Sequence, residues 1–287
     1  MNLKSEPFFV LGNPRSGTSL LRIMLNCNQA LVVPPECGFI FWWYKKYEKW
    51  FYSKSNVELF LKDFSESKKI ETWHLDYGAL SEFIDDNKPV DYAGLCACIY
   101  IFYGIKSGKE VKTWGDKNNY YVLHTAEIVQ LFPKAKIIHL IRDGRDVACS
   151  YKEIETLNTH SKYKPVLSSD LSAIANEWVD NNLTISALGT TQEYFSIKYE
   201  NLILQTEETL TKLCDFLSVP FDTNMLRYFD INKALQLEPN ETMDWKMKTL
   251  QAPDPTNIGR YKNILSPEEI AIFNKVAIDV LKTYQYE

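Results

Sequence analysis

Short apolar runs rich in β-branched and aromatic residues alternate along the chain with longer stretches of helical period. Phe8–Leu11, Leu31–Val33, Val111–Trp114, Lys136–Ile141 and Tyr194–Tyr199 are the strand candidates. This alternation predicts an α/β fold, a central parallel sheet with helices on both faces. Thr18–Cys27 places Leu20, Leu21, Met24 and Leu25 at helical spacing, and Tyr121–Leu131 continues the pattern. Both are expected to be helices that follow strands. Ser168, Ser169 and Asp170 supply capping groups for a helix of about five turns that would run to Gly189, a residue suited to the left-handed C′ position. Ser266-Pro267-Glu268-Glu269 has the S-x-x-E form of a capping box with proline at the first helical position, so the chain should close with an amphipathic helix.

Between Cys37 and Asp91 the periodicity breaks down. Phe39, Phe41, Trp42, Trp43, Tyr44, Tyr47, Trp50, Phe51 and Tyr52 crowd into a stretch that fits no sheet element. They read either as a lid or acceptor wall, or as core aromatics of a helical insertion. The longest nearly uncharged run, Ala93–Ile105, has 13 residues where about 20 are needed to cross a bilayer, so it reads as a buried helix and no membrane span is expected. With no linker or repeat, the expected organisation is a single domain over residues 1–287 with an irregular aromatic-rich insertion at about 37–91.

Composition narrows the functional classes. Hydrophobic residues make up 45% and charged residues 24% of the 287 positions, a balance that supports a sizeable core. The formal net charge of −5 argues against a protein that coats nucleic acid, because such binding needs clustered Lys and Arg. Any basic site must be local. The amino terminus lacks the apolar stretch of a signal peptide, and the six cysteines lie in or beside apolar segments without zinc spacing. Reduced structural thiols in a cytoplasmic protein are the expectation, with no metal.

Two segments carry candidate chemistry. Phe8–Leu21 contains a strand, a loop bracketed by Gly12 and Gly17, and the first turn of a helix. Amides in such a loop face the positive end of the helix dipole and form an anion cradle. The spacing equals that of a nucleoside-triphosphatase P-loop, but Thr18 stands where that motif has lysine, which disfavours ATP hydrolysis. Arg15 supplies a cation elsewhere in the loop, beside Ser16, Thr18 and Ser19. The second segment is Lys136–Ser150. A buried strand delivers Arg142 at its carboxyl end, and Ser150 follows about two helical turns later. Together they could hold another phosphate; alternatively Arg142, Asp143, Arg145 and Asp146 form a solvated ion-pair network at a helix start.

Pro14-Arg15-Ser16-Gly17-Thr18-Ser19-Leu20-Leu21 resembles the 5′-phosphosulfate loop of sulfotransferases that use 3′-phosphoadenosine 5′-phosphosulfate (PAPS). Ile141-Arg142-Asp143-Gly144-Arg145-Asp146 through Ser150 resembles their 3′-phosphate motif, with Gly144 in place of a frequent proline. Tyr199-Glu200-Asn201-Leu202 is also similar to a family feature. Gly259-Arg260-Tyr261-Lys262 is a partial match to the glycine-rich donor-binding segment, which brings in Arg260 and Lys262. Arginine in the loop places the likeness nearer the bacterial and tyrosylprotein sulfotransferases than the drug-conjugating ones. The resemblance implies a PAPS donor, the product 3′-phosphoadenosine 5′-phosphate (PAP), and binding through Arg15–Ser19, Arg142, Ser150 and Tyr199.

Glu36 follows the second strand candidate in Val33-Pro34-Pro35-Glu36. Taken alone it is either a surface carboxylate near a proline turn or a base; the resemblance places it where arginine-loop enzymes have their catalytic glutamate. Lys117, in Gly115-Asp116-Lys117, is likewise similar to a lysine that contacts the transferring group, and Arg15 completes the implied electrostatic clamp. The histidines are weaker candidates, His139 lying in a strand and His124 in a helical pattern. The reading is therefore sulfuryl transfer to a hydroxyl or amine, with the acceptor open among phenol, peptide tyrosine, glycan and lipid. A kinase-like P-loop protein and a nucleotide-binding regulator remain the alternatives.

Overall fold

The computed structural model describes residues 6–287. Five parallel strands, β1 (Phe8–Leu11), β2 (Leu31–Val32), β3 (Thr113–Lys117), β4 (Lys136–Ile141) and β5 (Glu193–Lys198), form one sheet in the order β2-β3-β1-β4-β5. All five strand candidates are present. The third begins two residues later than its apolar run and continues through Gly115, Asp116 and Lys117, because pairing with β1 in the register Phe8↔Gly115 and Val10↔Lys117 carries it past the end of the hydrophobic pattern. From β1 the chain moves out to β2 and returns through β3, then crosses to β4 and β5. The crevice beside β1 is thus the place where connections diverge, the usual ligand position in open α/β sheets.

Side chains alternate across β1. Phe9 and Leu11 join one apolar cluster, while Phe8 and Val10 join another on the opposite face. Helix α1 (Thr18–Asn26) packs on the second face. The first is covered by four helices between β2 and β3: α2 (Phe39–Tyr47), α3 (Lys54–Ser65), α4 (Tyr77–Asn87) and α5 (Tyr92–Lys106). The insertion expected to be irregular is therefore helical. Ser53, Asp76 and Asp91 each cap the helix that follows by accepting from a backbone amide, and these caps, rather than a clean amphipathic stripe, mark the boundaries. Its aromatics fill the core: Phe39, Phe60, Tyr92 and Tyr100 are buried, with Phe39 edge-on to Phe64 at 4.8 Å and Tyr100 stacked on Trp114 at 4.4 Å.

The remaining helices are α6 (Thr125–Leu131), α7 (Gly144–Thr156), α8 (Leu171–Ala187), α9 (Tyr199–Leu204), α10 (Thr206–Leu217), α11 (Tyr228–Leu235), α12 (Asn240–Met243), α13 (Tyr261–Ile264) and α14 (Pro267–Thr283). Ser266 and Glu269 form the reciprocal capping box expected for α14. Asp170 caps α8, as expected, but the helix ends earlier than Gly189 and tightens into a 3-10 turn over Leu188–Thr190. The predicted helix at Tyr121–Leu131 is split likewise, a 3-10 turn over Asn119–His124 leading into α6. All six cysteines are free and buried. No helix among the described residues is long and apolar enough to cross a membrane.

Candidate active site

Each of the five strands delivers a candidate residue at its carboxyl end: the β1 loop with Arg15, Glu36 beyond β2, Lys117 closing β3, Arg142 after β4 and Tyr199 after β5. All five line one cavity of about 500 Å³, together with Gly17, Thr18, Ser19 and Ser150. Arg15 and Gly17 adopt left-handed backbone conformations, with φ of 69° and 99°. At Gly17 a side chain would also collide with the Tyr199 ring, 2.6 Å from where a Cβ would sit, so glycine is required there. Thr18 opens α1 and donates to Asn119 Oδ1 at 3.1 Å. Ser16 does not line the cavity; its hydroxyl is buried without a partner.

Arg142 and the β1 loop face the same space, as a ligand with two phosphates requires. The Arg142 guanidinium lies over the Tyr199 ring, 4.5 Å from its centroid, and donates to the carbonyls of Arg15 (3.2 Å) and Asn257 (2.8 Å). Its Nε is buried with no partner. Arg15 in turn donates from Nε to Ser150 Oγ at 3.0 Å and from Nη2 to the Trp245 carbonyl at 3.0 Å, tying the β1 loop to α7 and to the segment after α12. Burial and the neighbouring Arg142 push the Arg15 guanidinium down to about 10, still charged at neutral pH.

The other charges of the Arg142-Asp143-Gly144-Arg145-Asp146 segment do not enter the cleft, and they are buried rather than solvated. Asp143 caps α7 and pairs with Arg145, which continues to Glu287. Asp146 accepts from the amides of Gly259 (2.7 Å) and Tyr261 (2.9 Å), which pins that segment to α7. Arg260 turns away to Glu153 and Lys262 lies beside the face of Tyr261; neither lines the cavity. At Gly144 a Cβ would come 2.5 Å from Phe273 and 2.7 Å from Trp178, so packing of α14 and α8 explains glycine at this position.

Glu36 and Lys117 form a direct ion pair, and Lys69 donates to the other Glu36 oxygen at 2.8 Å. Burial alone would raise the Glu36 carboxyl, but Lys117, Lys246 and Lys69 outweigh it and hold it well below the usual carboxylate range. Burial lowers the Lys117 ammonium to about 8, against the opposing pull of Glu36. Behind them Asp116, pushed up to about 6 by burial, accepts from Tyr100 (2.5 Å) and Tyr121 (2.7 Å). The Tyr121 hydroxyl also lies 3.2 Å from the Cys37 carbonyl, so this network fixes the strand ends that carry Glu36 and Lys117.

Several cavity residues carried no legible signal in the sequence. Lys69 precedes a 3-10 turn, Lys246 and Lys248 follow α12, and Tyr163–Leu167 belong to the loop after α7. In total eight Lys and Arg side chains and one carboxylate line the cavity of a chain whose net charge is −5. Such a site attracts anions and stabilises negative charge that develops within it. None of the aromatics of residues 39–52 lines it; Phe39, Phe41, Tyr44, Tyr47 and Trp50 are buried in the core, whereas Trp42 and Phe51 are exposed. His139 is buried between Tyr194 and Asn182, and burial pushes it down to about 4. Among the described residues no group of three or more His, Cys, Asp or Glu side chains is placed to hold a metal ion.

A parallel α/β sheet with a glycine-bracketed loop after its central strand and a second cationic segment beside it defines a P-loop-like fold that lacks the P-loop lysine. The profile of the sulfotransferase family matches residues 7–223, and the chain belongs to that family. It is similar to the protein-tyrosine sulfotransferase of Drosophila melanogaster, 24% identical over 239 residues that cover 81% of this chain and 42% of that protein. The chain spans less than half the length of the curated relatives it matches. Its fold is that of the sulfotransferase domain from the Synechococcus PCC 7002 olefin synthase (TM-score 0.55, 22% identity, 95% of both chains covered). The sulfotransferase domain from the curacin biosynthetic pathway shares it too (TM-score 0.57, 19% identity, 95% and 97% covered).

Proposed function

We propose that the cleft binds PAPS and transfers its sulfuryl group to a hydroxyl or amine acceptor. The observation that carries this reading is the convergence of the Arg15 loop, the Arg142–Ser150 pair and the Glu36–Lys117 pair on one cationic cavity. The loop from Arg15 to Ser19 holds the 5′-phosphosulfate. Arg142, stacked on Tyr199, and Ser150 hold the 3′-phosphate; the unpartnered Arg142 Nε leaves a donor for it. Glu36 takes the acceptor proton as the acceptor oxygen or nitrogen bonds to sulfur. The bond from sulfur to the 5′-phosphate oxygen breaks, and its electron pair leaves with PAP. Lys117 and Arg15 stabilise the charge that accumulates on the leaving oxygen.

Paired with Lys117 and flanked by Lys246 and Lys69, Glu36 is a weak base. A sulfonate that draws Lys117 to itself would release the carboxylate to accept a proton, so donor binding and base activation are coupled. Lys68, Lys69 and Lys164, beside the apolar Pro165 and Val166, favour an acceptor that carries its own negative charge. The decisive experiment supplies labelled PAPS with phenols, peptides, glycans and lipids and follows the label by mass spectrometry. Transfer that is unaffected by a chelator is expected. Protection from heat by ATP with magnesium in preference to PAP would instead support a kinase-like protein, and PAP binding without transfer to any acceptor a regulator.

A further inference from the structure

Lys246 lines the same cleft as Glu36 and Lys117, and no motif accounts for it. Its ammonium donates to Glu238 Oε1 at 2.6 Å and stops 4.0 Å from Glu36 Oε2. No other acceptor among the described residues lies within hydrogen-bonding distance, so it has protons to offer a ligand. Glu238 is 1% exposed, and its carboxylate also accepts from Arg22 Nη2 at 2.8 Å and Thr242 Oγ1 at 2.6 Å. Arg22 spends its remaining bonds on the carbonyls of Val33 (3.2 Å) and Leu237 (2.8 Å) and does not reach the cleft. The backbone before Lys246 is fixed as well, since Arg15 donates to the Trp245 carbonyl.

These contacts join Arg22, Glu238, Lys246, Glu36, Lys117 and Lys69 into one ion-pair chain with four cations and two carboxylates. Two formal positive charges are left over at its cleft end. Unbalanced charge out of bulk water is costly and calls for an anionic partner. We propose that Lys246 is a further sulfuryl-transfer cation and that Glu238, backed by Arg22, is the positioning residue that aims it at the reacting group. This rests on the sulfotransferase reading above. During the transfer Lys246 meets the sulfonate as the bond to the 5′-phosphate breaks, while the acceptor proton passes to Glu36.

The competing account is that Glu238 merely neutralises the buried Arg22. Steady-state kinetics with PAPS, together with PAP titration of each variant, separate the two. Lys246→Met should lower kcat at least about tenfold and leave PAP affinity within about threefold, as loss of a transition-state contact does. Glu238→Gln should also lower kcat, and the double variant should be no slower than Lys246→Met alone, because both act through one ammonium. The additional thermal stabilisation that PAPS gives over PAP should shrink in Lys246→Met, a readout independent of turnover. Wild-type kcat in Lys246→Met overturns the proposal, as do additive losses in the double variant. If Glu238→Gln fails to fold, Lys246→Met still decides. A wild-type chain that binds neither PAP nor PAPS sinks the sulfotransferase reading itself, whereas a working enzyme indifferent to Lys246→Met sinks this inference alone.

Discussion

Replacing Arg142 by methionine tests the two-phosphate assignment most directly. Arg142 is 6% exposed, its guanidinium lies over the Tyr199 ring and donates to two backbone carbonyls, and its Nε has no protein partner. A charge-assisted hydrogen bond from such a group contributes about 1.5–3 kcal/mol. At about 1.4 kcal/mol per decade, loss of the contact weakens PAP binding roughly 10- to 150-fold. Adenosine 5′-monophosphate, which lacks the 3′-phosphate, makes no such contact, so its dissociation constant should change less than about threefold. Titration calorimetry with both nucleotides on both proteins closes a thermodynamic cycle that isolates the 3′-phosphate. Methionine keeps much of the packing against Tyr199, and the loss of two carbonyl partners should lower the melting temperature by only a few degrees. Equal weakening of PAP and the monophosphate would show that Arg142 shapes the pocket without reading the 3′-phosphate, and would refute the assignment.

Glu36→Gln removes the proposed base but keeps its shape, and kcat should fall about 100-fold while PAP affinity changes little, measured by product mass spectrometry and calorimetry. Lys117 must be protonated to stabilise the leaving oxygen, so kcat/KM for PAPS should decline on the alkaline side with a midpoint near 8, and Lys117→Arg should move that limb upward. The same depressed value makes the unfolded chain bind more protons than the folded one between about pH 8 and 10.4, so this group makes stability rise with pH across that window. Denaturant titrations of wild type and Lys117→Met compare the slopes there. Phe39→Ala, in the core of the helical insertion, should cost about 3–5 kcal/mol in denaturant unfolding yet leave the PAP affinity of the folded fraction within about twofold. A marked rise in the acceptor KM without destabilisation would restore residues 39–52 as an acceptor wall.

What the sequence determined by itself was local. Apolar runs such as Phe8–Leu11 and Lys136–Ile141 are buried on both faces wherever they sit, so their strand character shows in the residues. Gly17 must be glycine because its backbone is left-handed, and Ser266–Glu269 cap a helix through bonds within four residues. Arg15 and Arg142, next to such landmarks, were therefore legible, and the family resemblance added Glu36 and Lys117. The tertiary structure alone decided which of them share a cavity and what surrounds them. The ends of β1, β3 and β4 become neighbours only through the strand order, and Lys69 and Lys246 reach Glu36 from segments 33 and 210 positions away in the chain. Charged side chains are unmarked in sequence, since lysine is ordinary on any surface. Its meaning as a buried cation arises only when long-range packing removes water from around it and leaves a carboxylate to share.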